Sequence, residues 1–156
     1  MRRKDREISY EEGLKIIDKC EYSVLSVCNG NEPYSVPLSV CRNGTSVFFH
    51  SAAAGKKVEL LKDGTNVCMV FVGDVQAQKN AFTTAFESAM AFGKIYRITS
   101  DEEKISALKL LCEKYCPDNM PAFDISIQRS LSRTYVYRVD IDELTAKAKR
   151  IKKKSD

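Results

Sequence analysis

Residues 48–57 read Phe-Phe-His-Ser-Ala-Ala-Ala-Gly-Lys-Lys, the densest run of chemically useful groups in the chain. An apolar run ends, small residues follow, and a helical pattern begins at a glycine and two lysines. Small side chains let a ligand approach the backbone. Amides at a helix start point outward with partial positive charge. Ser51 adds a hydroxyl, and Lys56 and Lys57 add full charges. That combination suits a phosphate monoester. A plain strand-to-helix turn with solvated lysines explains the same letters, and spacing alone leaves the two readings evenly matched. Lysines at a helix start oppose the helix dipole, so without an anion they carry a small cost. This tilts the balance toward an anion site. His50 is the only histidine. Its ring is either a structural hydrogen-bonding group or a lone acid, base or ligand.

A second cluster, residues 82–88, reads Phe-Thr-Thr-Ala-Phe-Glu-Ser. Hydroxyls alternate with aromatics just before a strand. A capped turn accounts for this; so does hydrogen bonding and stacking around a planar ring. The dinucleotide fingerprint GxGxxG, the nucleotide-triphosphatase loop GxxxxGK(S/T) and the GxSxG elbow are all absent. The six cysteines form no CxxC, and one histidine is too few for a structural zinc set, so no metal site is expected. Four of them, Cys28, Cys41, Cys68 and Cys112, sit in apolar runs and read as buried free thiols.

The elements that must position these groups follow from pattern. Ser9 with Glu12 is a capping box, and Leu14 and Ile17 give the helix behind it an apolar face. Residues 22–27 and 34–40 alternate around Asn29-Gly30-Asn31, which is hairpin chemistry. Pro37 inside the second run calls for an edge or a bulge. Residues 45–50, 66–72, 88–98 and 134–141 read as further strands. Residues 55–63 form a short helix with Val58, Leu60 and Leu61 inward. Residues 73–80 read as a loop, and the longest helix starts after Ser100 and stops at Cys116-Pro117. Residues 117–130 show no period, and residues 142–149 read as a final helical turn. The sum is a mainly β fold with helical insertions, an antiparallel barrel of six strands.

At 156 residues with 44% hydrophobic content, the chain suits one domain, expected over residues 1–148. Residues 149–156 read as a basic C-terminal tail. Six basic residues against Asp156 in residues 145–156 exceed the whole net charge of +4, so the remaining chain is nearly neutral. Nucleic-acid attraction through such a tail is weak and without sequence preference, so no specific nucleic acid is expected. No apolar run is long enough for a membrane span, and the basic start is not followed by a signal-like core; a cytoplasmic protein with no membrane partner is expected.

Several segments recur together in a known family. They are residues 1–8, Val36-Pro37-Leu38-Ser39, Phe49-His50-Ser51-Ala52 with Gly55-Lys56-Lys57, Phe82-Thr83-Thr84 with Glu87-Ser88, and Phe92-Gly93. In this order and spacing the chain resembles the flavin split-barrel proteins related to pyridoxamine 5′-phosphate oxidase, and among them the nitroimidazole-resistance (Nim-type) branch. The resemblance spans residues 1 to about 148. It implies a six-stranded antiparallel split barrel of the FMN-binding type that forms a homodimer, with one flavin mononucleotide (FMN) in each of two clefts at the interface. His50, Ser51, Gly55, Lys56 and Lys57 match the segment that holds the flavin phosphate. Val36, Pro37, Leu38 and Ser39 match the strand along the isoalloxazine ring. Thr83, Thr84, Glu87 and Ser88 match the region that reaches the flavin edge. His50 also matches a histidine near the flavin, which makes it the expected catalytic or substrate-contacting residue.

The departures narrow the chemistry. Two lysines stand where the oxidase uses several arginines, and the oxidase's arginine-rich C-terminal substrate region is missing. Vitamin B6 oxidation is therefore not expected. The resemblance implies an FMN-dependent, nitroreductase-like oxidoreductase. It would take electrons from a reduced nicotinamide, NAD(P)H, and pass them to a small planar aromatic substrate such as a nitro compound. The alternative is a non-catalytic flavin- or haem-binding protein on the same fold.

Overall fold

The computed structural model describes residues 2–150. Their order along the chain is a 3₁₀ turn at Lys4–Arg6, α1 (Tyr10–Lys19), β1 (Ser23–Asn29), β2 (Glu32–Leu38), β3 (Cys41–Asn43), β4 (Ser46–Ala52), α2 (Lys56–Leu60), β5 (Thr65–Gln78), β6 (Thr83–Ile98), α3 (Asp101–Tyr115), a 3₁₀ turn at Pro117–Ala122, α4 (Phe123–Ser130) and β7 (Thr134–Lys149). The capping box is present: the Ser9 hydroxyl accepts from the Glu12 amide, and the Glu12 carboxylate accepts from the Ser9 amide, both at 3.2 Å. Ser100 caps α3 in the same way at its Glu103 amide. Gly30 and Gly44, each with φ of 59°, turn the β1–β2 and β3–β4 hairpins, where a left-handed backbone favours glycine.

The strands form one antiparallel sheet in the order β2-β1-β5-β6-β7-β4-β3. Its two edges, β2 and β3, are joined by Ser39 and Val40 alone. That link spans about 10 Å at most. The sheet must therefore curl until its edges nearly meet, with no ladder between them: a barrel that is split along one line. Pro37 sits on edge strand β2, where its missing N–H costs nothing.

Alternation then assigns the faces. Leu25, Val47, Phe49, Met69, Phe71, Ile95, Tyr137 and Val139 fill the interior together with Ile16 and Ile17 of α1. Phe49 and Tyr137, opposite one another on β4 and β7, stack with centroids 5.2 Å apart. On the outer face, α3 lays Ala107 and Leu111 against Cys41, Phe48, Ile98 and Val136. Gly93 faces a bulge in β7, where Asp142 is the extra residue. A Cβ on Gly93 would stand 1.9 Å from the Asp140 carbonyl oxygen, so no other residue fits.

The sheet has seven strands where the sequence predicts six, because β3 is a three-residue strand too short to leave a pattern. Residues 73–80 are not a loop: β5 passes through a bulge between Val72 and Val75 and runs on to Gln78. They are polar because this arm projects into solvent. Correspondingly, β6 starts at Thr83, not at residue 88. Residues 142–149 are strand, not helix. Leu144, Ala146 and Ala148 do alternate inward, but alanine and lysine favour helices, and that masks the two-residue period. The expected tail therefore begins later, since Lys149 closes β7 and Arg150 pairs with Glu12; residues 151–156 lie outside the described set. The aperiodic residues 117–130 hold the 3₁₀ turn and α4. All six cysteines are free, and of the four expected to be buried only Cys41 is: Cys68 and Cys112 are half-buried, and Cys28, next to last in β1 beside the turn, is exposed.

The inter-edge link has a dedicated clamp. The Tyr115 hydroxyl accepts from the Val40 amide at 2.9 Å and donates to the Val40 carbonyl at 3.0 Å. Lys114 Nζ adds a second bond to that carbonyl at 2.9 Å. Val40 is fully buried and has no ladder to join. Tyr115→Phe leaves its amide without an acceptor, and we expect a loss of about 1–3 kcal/mol in urea unfolding. A loss indistinguishable from zero would show that the clamp does not hold the split.

Candidate functional site

The sequence-predicted residues fall into two groups. The first surrounds the split. β4 ends at Ala52, and Gly55 then takes φ of 114° to start α2, a conformation that side chains other than glycine rarely adopt. Lys56 brings its ammonium to 5.9 Å from the Tyr34 ring of β2, and Lys57 lies 5.9 Å over Phe49. Among the described residues neither lysine has a carboxylate partner. Desolvation lowers the Lys57 pKa, so this ammonium is held where a counter-charge is missing.

Strand alternation divides this group in a way the sequence reading did not foresee. Ser51 follows Phe49 inward; it is buried, and its hydroxyl donates to the Ala52 carbonyl at 2.9 Å. His50 follows Phe48 outward. On β2, Val36 and Leu38 belong to the interior and Pro37 is exposed, as is Ser39 in the link that follows. The outward set is thus Pro37, Ser39 and His50.

Ser39 and His50 open onto a cavity of about 290 Å³ between β4 and the helices α3 and α4. Leu108, Leu111, Tyr115, Phe123 and Ile127 supply most of its walls. His50 keeps an exposed edge, yet desolvation, and then the nearby Lys57 charge, push its pKa below the usual 6.5. The ring is neutral near pH 7. It can donate from one nitrogen and accept at the other.

The second group sits elsewhere. Thr83, Thr84, Glu87 and Ser88 occupy the start of β6, beside the end of β7. Lys149 Nζ donates to the Thr83 hydroxyl, Thr84 is exposed, and Ser88 is half-buried. Glu87 pairs with Lys19 and accepts from the Asp74 amide at 3.1 Å, so its carboxylate is committed within the chain. The Phe86 ring lies between Arg6 at 5.9 Å and Lys147 at 5.8 Å. Ser88 stands opposite Lys147, whereas His50 stands opposite Val136. Eleven residues of β7 separate these levels, about 36 Å of strand. A single chain does not bring the two groups together.

The sequence missed the cavity walls. Leu108, Leu111 and Tyr115 carry an ordinary helical period that reads as core. Phe123 and Ile127 lie in the stretch with no period. Lys149 reads as tail in the sequence but closes β7.

Because His50 is the only histidine, its titration is directly readable by proton NMR. We expect a midpoint below 6.5, moving upward in Lys57→Ala. The unfolded chain takes up this proton more readily than the folded one. Stability is therefore full above pH 6.5 and declines as pH falls through the folded midpoint. A midpoint at or above 6.5 would contradict the desolvated setting.

Comparison with known proteins agrees with this architecture. Residues 9–148 match the family model described as pyridoxamine 5′-phosphate oxidase. No curated protein matches significantly. Among solved structures, one from Bacteroides thetaiotaomicron, assigned to 5-nitroimidazole antibiotic resistance, is 25% identical with a TM-score of 0.72; the match covers 91% of this chain and 86% of that one. The FAD and haem binding protein from Mycobacterium smegmatis is 18% identical with a TM-score of 0.81, over 97% and 77% of the two chains. The flavocytochrome Anf3 from Azotobacter vinelandii is 20% identical with a TM-score of 0.72, over 95% and 71%. Sheet order, split and family match lead to one conclusion: this chain belongs to the pyridoxamine 5′-phosphate oxidase family.

Proposed function

We propose that the chain is an FMN-binding oxidoreductase of the Nim-type branch, acting as a homodimer. In this reading it passes electrons from NAD(P)H to a small planar acceptor such as a nitro compound. The observation that carries this is the pair Lys56 and Lys57 beyond Gly55, two ammonium groups without a carboxylate partner among the described residues. A dianionic phosphate supplies the missing partner. That charge fits FMN, whose phosphate is terminal. The structural relatives name FAD and haem as well as nitroimidazole resistance, so cofactor and acceptor are part of the proposal.

Bound flavin would supply the hydride and electron chemistry; the chain supplies position and electrostatics. Lys56 and Lys57 hold the phosphate. Pro37 and Ser39 present the outward edge of β2 to the ring. Neutral His50 contacts the acceptor as hydrogen-bond donor or acceptor without adding a charge. Thr83, Thr84 and Ser88 reach the same flavin only from a second chain, given the strand length between the groups. An apolar stripe gives that second chain a contact: Val72, Met90 and Phe92 share the outer face of β5 and β6 and are each more than a third exposed.

A haem reading rests on His50 as the one imidazole facing an apolar cavity. That cavity is smaller than a porphyrin and would have to widen. A Soret band on haem addition, lost in His50→Ala, would favour it over the flavin reading.

Purified protein should show a flavin visible spectrum, or acquire one on FMN addition. Lys56→Ala with Lys57→Ala should weaken FMN retention by roughly tenfold or more, the scale of losing charge-assisted hydrogen bonds. Protein that takes up no FMN refutes the cofactor assignment. Unchanged affinity in the double variant refutes the phosphate assignment.

A further inference from the structure

The cavity at His50 carries no formal charge. Among the described residues, no aspartate, glutamate, lysine or arginine lines it. Its hydroxyls are largely committed. Tyr115 donates to Val40, Ser126 to Ala122, Ser130 to Ser126 and Thr134 to Ser130, all to backbone carbonyls. These oxygens keep lone pairs but have no proton left to give an anion. Ser39, His50 and the free thiols of Cys112 and Cys116 are the polar groups in the lining that have no such bond among the described residues. The last turn of α3, with Cys112 and Tyr115, and the first residue of α4, Phe123, both border the space, so a negative and a positive helix end oppose one another there. The nearest cation known to act on His50 is Lys57. Its ammonium lies over Phe49, which faces the barrel interior and not the cavity.

We propose that this cavity binds an uncharged aromatic molecule and rejects its anionic analogues, with Ser39 and His50 as the polar contacts. A carboxylate or phosphate brought here would lose water and find neither a counter-ion nor a free hydroxyl proton beyond Ser39. A neutral ring meets leucine, isoleucine, tyrosine and phenylalanine walls, which suit stacking and apolar contact. As an account of the acceptor, this rests on the reductase reading; the charge preference belongs to the cavity alone.

Nitrobenzene and 4-nitrobenzoate differ by one carboxylate and serve as probes. Calorimetric titration of the purified protein, with its flavin content read from the visible spectrum, should show nitrobenzene binding about tenfold or more tighter than 4-nitrobenzoate. Ile127→Lys places a cation in the wall and should shift that ratio toward the anion by about tenfold or more. Ser126→Lys does the same from an exposed position, where the fold tolerates it. A shift toward the anion in either variant supports the proposal. Equal binding of the two probes to the unaltered protein overturns it, as does absence of nitrobenzene binding. So does an unmoved ratio in both variants when their circular dichroism is unchanged. Charge discrimination in a protein that takes up no flavin would sink the reductase reading and leave this one standing.

Discussion

Two residues, Ser39 and Val40, join opposite edges of a seven-stranded sheet, and the rest of the molecule conforms to that constraint. Edge strands that are adjacent in sequence force the sheet to curl. The unpaired backbone in the link then needs partners, and Tyr115 and Lys114 at the end of α3 provide them. Anchoring α3 there fixes one wall of the cavity beside His50. The same contact that closes the barrel thus shapes the space where a small molecule fits. The core on the inside and the cavity on the outside share β4, whose successive residues alternate between them.

The two groups of candidate residues are each coherent and are far apart. Around the split lie exposed Pro37, Ser39 and His50 with Lys56 and Lys57, which have no carboxylate partner among the described residues. At the other end of the long strands lie Thr83, Thr84 and Ser88. In the proposed homodimer a twofold axis would set one chain's first group beside the other chain's second group. The apolar outer stripe of β5 and β6 would give such a pair its contact. In this account β7 acts as a spacer, sixteen residues long, that keeps the groups on opposite ends of each chain.

Much of the local structure was legible in the residues. The capping box at Ser9, the glycine hairpins and the edge position of Pro37 follow from short-range chemistry, and the structure has them; at Ser100 only the hydroxyl's half of the box forms. What the residues hid was long-range. Alanine and lysine in 142–149 look helical until neighbours pair with them as strand. The arm at 73–80 looks like loop because it pairs in solvent. Most important, residues 50–57 read as one turn, yet His50 and Ser51 must face opposite sides of a strand. The proposed anion site is therefore confined to Gly55, Lys56 and Lys57, while His50 opens onto the separate cavity beside it. Family resemblance identified the segments but could not say which of their side chains face outward.

The central claim is that each flavin site is built from two chains. Subunit complementation tests it most directly. The double variant Lys56→Ala, Lys57→Ala impairs the first group, and Thr84→Trp obstructs the second. Each alone should retain little FMN. Unfolded and refolded together, the two should recover about a quarter of the unaltered protein's sites, since half of the random dimers are mixed and each of those has one intact site. No recovery, from a mixture shown to contain mixed dimers, would mean that each site lies within one chain.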